Sequence, residues 1–190
     1  RESRTISWMQ VHTEVEGEWP TIRARFVPQP CMHCDRPPCT LVCPVEATSR
    51  DREGIVSQIY ARCIGCRYCA NACPYTVKFF NWHKPSYPDS VVPGLNPDVS
   101  MRPVGVIEKC TFCHHRLQKA RDVARAEKRP LREGEYSPAC ADSCPTGAIV
   151  FGDLDDPGQR VAQLARDPRA FRLHEDLGTQ PKVYYLAEQD

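Results

Sequence analysis

The chain has 190 residues, 41% of them hydrophobic and 26% charged, with a formal net charge of +1. That balance gives no reason to expect nucleic acid or an anionic lipid surface as a partner, and no run approaches the length of apolar sequence a membrane span needs. Twelve cysteines in a chain long enough for only a modest core point instead to metal or disulfide chemistry.

Residues 1–30 read as a strand and loop region belonging with the second half of the protein. Trp8, His12 and Trp19 are expected there as packing residues on a strand pair. Next comes CMHCDRPPCTLVCP, with Cys31, Cys34, Cys39, Cys43 and Pro44, its loop enlarged and stiffened by Pro37 and Pro38. VEAT, a turn at Gly54 and IVSQI follow as short strand candidates. Then CIGCRYCANACP places Cys63, Cys66, Cys69 and Cys73 before Pro74, with YTVKFF as the next strand candidate.

The spacing of this second motif is that of a bacterial iron–sulfur run. Three cysteines packed so closely cannot form comfortable separate bridges. Structural zinc, for its part, pairs two knuckles across a longer gap. In the iron–sulfur pattern three cysteines come from one tight loop and the fourth reaches the other cluster of a pair. Pro74 has no amide to satisfy, and Gly65 is expected to let the backbone approach the cluster. Two motifs in tandem suggest an internal duplication, so the crossed rule gives two ligand sets. Cys31, Cys34, Cys39 and Cys73 form one; Cys63, Cys66, Cys69 and Cys43 form the other. His33 is a loop residue that either tunes a cluster or faces out, and Tyr68 and Tyr75 are expected to shield the clusters from water. Residues 31–84 are thus expected to form a two-cluster module.

Residues 85–109 read as an extended loop wrapping the domain or a partner. A third cysteine set occupies residues 110–152. It comprises Cys110 and Cys113 in KCTFC, then Cys140 and Cys144 in PACADSCP, with AIVFGD as a following strand. A basic insert, 114–138, separates its halves; Leu117, Ala120 and Ala124 give it a helical stripe that Pro130 ends. Its seven cations make either a solvated face or a docking face for an acidic partner. His114 and His115 are read as residues that either support the neighbouring ligands or lie on the surface of the insert. Cys144 has no motif to exchange with. Either it closes the set of Cys110, Cys113 and Cys140, or it serves a fourth cluster whose motif precedes Arg1, which is the expectation adopted. In the extension 153–190, Asp156-Pro157 is expected to cap a helix, with proline in its first turn. PKVYYL is a strand candidate for pairing with a partner chain.

These residues carry a resemblance. PCMHCDRPPC, CPVEA, RCIGCRYCANACPY, EKCTFCHHR, PACADSCPTGAIVFGDL and PKVYYL resemble the iron–sulfur subunits of the complex iron–sulfur molybdoenzyme family, the group of the dimethyl sulfoxide, polysulfide and tetrathionate reductases. At finer level, KFFNWHKP and GDLDDPGQRVAQL look most like the iron–sulfur part of alternative complex III or of a related quinone reductase complex. The resemblance implies an α+β fold of tandem bacterial-type ferredoxin modules with inserted loops and a short helical insert. It also implies an electron-transfer subunit without an active site of its own. The twelve cysteines would hold three [4Fe-4S] clusters, or the protein four if a first motif precedes them. A [3Fe-4S] variant at one site stays open, although the presence of Cys66 favours four irons there. Implied partners are a molybdopterin-type subunit, an integral membrane quinone-interacting subunit and cytochrome c subunits, at the periplasmic rather than the cytoplasmic face of a bacterial inner membrane. The alternatives are a stand-alone polyferredoxin, or part of a molybdoenzyme reductase rather than of a quinol-oxidising complex.

Overall fold

The computed structural model describes residues 6–84 and 86–188. Arg1, where a preceding motif would join, Pro85, at the head of the extended loop, and the last two residues of the C-terminal extension lie outside the described residues. The chain divides into two compact units, Arg1–Thr111 with Asp176–Gln180, and Phe112–Glu175 with Pro181–Asp190.

The first unit opens with an antiparallel ribbon, β1 (Gln10–Glu16) against β2 (Arg23–Gln29), in register from Gln10↔Gln29 to Glu16↔Arg23. Alternation puts Val11, Val15, Ala24, Phe26 and Pro28 on one face and Glu14, Glu16, Arg23 and Arg25 on the other. Every β1 residue is exposed, His12 included. The packing expected of Trp19 is not found: it is 85% exposed at the ribbon's tip. Trp8 does pack. Its Nε1–H donates to Glu108 at 3.1 Å, and the Arg102 guanidinium lies 4.8 Å from its ring centroid.

Short elements alternate with the cysteine loops. Helix α1 (Pro38–Leu41) precedes the hairpin of β3 (Thr48–Arg50) and β4 (Val56–Gln58), which turns at Gly54, φ +78°. Helix α2 (Tyr68–Asn71) precedes β5 (Phe79–Phe80), which pairs with β6 (Ile107–Glu108). None of these helices is long enough to be stable alone. The apolar cluster of Cys39, Val56, Cys69 and Ile107 fixes them, with Val42, Cys63, Ala70 and Phe80 packed against it. The loop between β5 and β6 is mostly exposed. Asn81 ties down its end by donating to the carbonyls of Arg102 and Pro103 at 3.2 and 2.9 Å.

The second unit is built on α3 (His114–Ala126), which buries Leu117 and Ala124 and half-buries Ala120. The expected stripe is therefore the packed face, and the helix ends before Pro130. Cations of the insert are paired within the unit, among them Arg116 with Asp142, Arg125 with Asp122, and Arg129 with Glu127 and Glu135. Helix α4 (Ala139–Asp142) follows.

Three expectations are overturned by the fold. AIVFGD is not a strand; Phe151 instead packs edge-on against Phe112 and Tyr136, at 5.1 Å from each. Helix α5 (Arg160–Leu164) is capped at Gln159, because Asp156 Oδ1 accepts the Gly158 N–H at 2.9 Å and so spends Asp156 and Pro157 on a turn. The PKVYYL strand, β8 (Tyr185–Leu186), pairs within the chain, against β7 (Ala170–Phe171).

Candidate metal centre

One backbone unit recurs three times. In the leading C-x-x-C pair of each motif, the residue before the second cysteine has positive φ: His33 at +43°, Gly65 at +71° and Phe112 at +50°. The third cysteine of each motif is the second residue of a four-residue helix: Cys39 in α1, Cys69 in α2 and Cys140 in α4. After the fourth, the chain turns identically. The N–H groups of Glu46, Thr76 and Gly147 donate to the carbonyls of Cys43, Cys73 and Cys144 at 3.3, 3.2 and 3.2 Å, and all three residues have positive φ. Two of those three are not glycine, in a region that costs about 1 kcal/mol or more for an ordinary residue. A strained turn repeated at each motif is what a shared ligand geometry demands.

None of the twelve cysteines is in a disulfide. Cys31, Cys34, Cys39 and Cys73 line one cavity together with Val56, Tyr75, Val77 and Lys78. The first three come from one loop and the fourth from the other. Burial pushes the Cys34 and Cys39 thiols up to about 11, and Cys31 and Cys73 push in the same direction. Hydrogen bonding from Thr179 opposes the rise at Cys34, and the charges of Lys78 and Lys109 oppose it at Cys39. Thiols so placed ionise together only around a cation. A donor set of four soft sulfurs from two loops, in a mostly apolar pocket, fits an iron–sulfur cluster.

The second set is distributed differently. Cys63 and Cys69 meet at the apolar core, Cys66 is exposed, and Cys43 lies half-buried in the turn after α1. Burial would raise the Cys43 thiol. Amide N–H groups of Thr48, Val45 and Ala47 and the Lys78 charge outweigh burial and hold it below its usual value. The Ala47 N–H donates to its Sγ at 3.2 Å. In the second unit, the Ala139 N–H donates to Cys113 Sγ at 3.3 Å, while burial and then neighbouring Cys113 raise the Cys140 thiol. Cys144 repeats the surroundings of Cys43. The Thr146 hydroxyl, then the amides of Ile149 and Ala148, bring its thiol down to about 7. Cys110 is half-buried at the end of the first unit. Among the described residues no three His, Cys, Asp or Glu side chains converge as the ligands of a single ion would.

Several neighbours differ from expectation. Tyr75 is buried, whereas Tyr68 is 64% exposed. His33 is fully buried, and its Nδ1 accepts the Val56 N–H at 3.0 Å, which leaves the neutral ring's proton on Nε2. Gly65 also lets the backbone approach protein closely: a Cβ there would sit 2.2 Å from the Gly105 carbonyl oxygen. Two residues at the site carry no signal in the sequence. Lys78 is buried beside Cys39, and Thr179 arrives on the returning segment Asp176–Gln180.

That segment straps the first loop, since the Asp35 and Arg36 N–H groups donate to the Gln180 and Thr179 carbonyls at 2.9 and 3.0 Å. The Thr179 hydroxyl lies 2.7 Å from Tyr75 Oη. Thr179→Val keeps the shape and removes this hydroxyl from two buried partners, so it should lower stability by about 1–2 kcal/mol. Urea denaturation of the intact protein checks this, and an unchanged midpoint would show that the strap acts through its backbone alone.

The repeated loops, the soft donor sets and the α+β modules define the class, a ferredoxin-type iron–sulfur protein built for one-electron transfer. The chain matches two 4Fe-4S dicluster domain families, over residues 22–88 and 62–148. It is 49% identical to the menaquinone reductase iron–sulfur cluster-binding subunit of Nitratidesulfovibrio vulgaris, over 98% of this chain and 75% of that one. It is 38% identical to a subunit of the selenate reductase of Mesobacillus selenatarsenatis, over 95% of this chain and 61% of that one. To the Hdr-like menaquinol oxidoreductase iron–sulfur subunit 1 of Archaeoglobus fulgidus it is 37% identical, over 94% and 63%. The chain thus spans three quarters of the first relative and less than two thirds of the other two. It belongs to the iron–sulfur subunits of the complex iron–sulfur molybdoenzyme family.

Proposed function

We propose that this chain is the electron relay of a membrane-attached quinone oxidoreductase complex. The observation that carries the reading is the cavity on which Cys31, Cys34, Cys39 and Cys73 converge from two loops. That set would hold one [4Fe-4S] cluster, and Cys63, Cys66, Cys69 and Cys43 a second. Cys110, Cys113 and Cys140 would hold a third, with Cys144 closing it or serving a further cluster. Such groups supply outer-sphere one-electron transfer. The protein's residues supply position, exclusion of water and charge. Cys39 and Cys69 share one apolar cluster, which supports two neighbouring sites in the first unit.

The partners in this reading are a molybdopterin-type or similar catalytic subunit, an integral membrane quinone-interacting subunit and cytochrome c subunits. The relatives named for menaquinone and menaquinol support the quinone arm. Among the described residues no helix is long and apolar enough to cross a membrane. Attachment in this reading comes through the membrane partner, at the periplasmic face of an inner membrane. The selenate reductase relative favours a second reading, a place in a molybdoenzyme reductase.

Iron and acid-labile sulfide, measured anaerobically on the protein isolated with its natural partners, test the proposal. About twelve irons per chain are expected if Cys144 closes the third set, and about sixteen if a further cluster is present. Zinc in place of iron, or no sulfide, overturns it. Reduction of the isolated complex by a menaquinol analogue, followed by EPR, separates the quinone reading from the reductase reading.

A further inference from the structure

Lys78 has an environment that a lysine rarely keeps. It is 6% exposed, and its ammonium donates to Thr48 Oγ1 at 3.0 Å and Gln58 Oε1 at 3.2 Å. Both acceptors are neutral, and they already bond each other at 2.8 Å. Lys78 forms no ion pair with any described carboxylate. Burying an ammonium without an anion costs several kcal/mol. An anion nearby is therefore expected, and the candidates on the same cavity wall are the thiols of Cys31, Cys34, Cys39 and Cys73.

We propose that Lys78 is the charge that sets the reduction potential at the Cys31, Cys34, Cys39 and Cys73 site. The inference rests on the cluster reading above. A four-thiolate iron–sulfur group is anionic, and one added electron makes it more negative by one charge. A fixed cation in low dielectric stabilises that reduced form more than the oxidised one. Lys78 therefore raises the electron affinity of this site. The hydroxyl of Thr48 and the amide oxygen of Gln58 orient the ammonium without neutralising it. A second lysine strengthens the arrangement. Lys109 is fully buried, its ammonium donates to the Cys110 carbonyl at 2.8 Å, and its charge also acts on Cys39. Two buried cations on the side of Cys39 would make this site a favourable stop for electrons entering the first unit.

The test compares Lys78→Met with Thr48→Val in the intact, cluster-loaded protein, by redox titration with dithionite under EPR at fixed pH. Lys78→Met removes the charge, whereas Thr48→Val removes a hydrogen bond and keeps the charge. Lys78→Met should weaken electron affinity at least tenfold at the cluster of Cys31, Cys34, Cys39 and Cys73, which for a one-electron couple is about 59 mV, and by less at the cluster of Cys43, on whose thiol the Lys78 charge also acts. Thr48→Val should leave it within about twofold. A loaded Lys78→Met protein with an unmoved potential overturns the inference. If Lys78→Met fails to load iron while Thr48→Val loads with an unmoved potential, Lys78 serves cluster assembly and the inference falls. If both fail to load, the role is packing and the inference falls. An iron-free wild-type protein would instead overturn the cluster reading beneath it.

Discussion

Cys73→Ala should empty the site of the first cysteine loop and spare its own. Cys73 is the fourth cysteine of CIGCRYCANACP, and a self-contained reading would place it with Cys63, Cys66 and Cys69. The fold turns it away. It leaves α2 through the turn at Thr76 and faces the cavity of Cys31, Cys34 and Cys39. Its charge raises the thiols of both Cys34 and Cys39. The variant should lose about four irons per chain, and the EPR signal that remains should be the one abolished by Cys69→Ala. If Cys73→Ala and Cys69→Ala silence the same signal, the pairing is wrong and each loop holds its own cluster.

Gly65→Ala should be among the most destabilising substitutions that touch no thiol. Two penalties add at this position. The backbone sits at φ +71°, and a Cβ would lie 2.2 Å from the Gly105 carbonyl oxygen and 3.1 Å from the Phe80 ring. A main-chain oxygen cannot rotate aside as a flexible side chain can. The loop must move, and with it Cys63, Cys66 and the end of the loop before β6. The expected loss is about 2–4 kcal/mol. Gly147→Ala is the control, since its φ is +62° but nothing lies within 4 Å of the added carbon. It should cost only about 1 kcal/mol. Urea midpoints of the two variants check the contrast, and equal losses would show that backbone conformation alone makes the glycine necessary.

Much of the site was legible because iron–sulfur ligation is local. Spacing of two, two and three residues dictates which thiols can share a loop, and a proline after the fourth cysteine marks where the chain leaves. The crossed pairing of Cys73 is an expectation from the same spacing, and the Cys73→Ala variant tests it. Lys78 and Thr179 were not legible. Lys78 looks like any lysine near a strand, and only β3 and β4 folding over it make it buried. Thr179 lies more than a hundred residues from Tyr75 and meets it by a return of the chain that no local pattern announces. The strand expected at AIVFGD failed for a related reason. A strand needs a neighbour to pair with, and Phe151 found aromatic rings instead of a ladder.

The sequence by itself determined the donor chemistry, the number of cysteine loops and the family. Each of these depends on residues within a few positions of one another, where covalent spacing restricts geometry. Only the tertiary structure decided what surrounds the donors. It made Gly65 a packing necessity against Gly105, buried Tyr75 and exposed Tyr68, and strapped the first loop with Asp176–Gln180. It also placed an unneutralised lysine on the wall of a thiol-lined cavity. Burial, dielectric and the direction of a charge are sums over residues distant in the chain, so they exist only once the chain has folded.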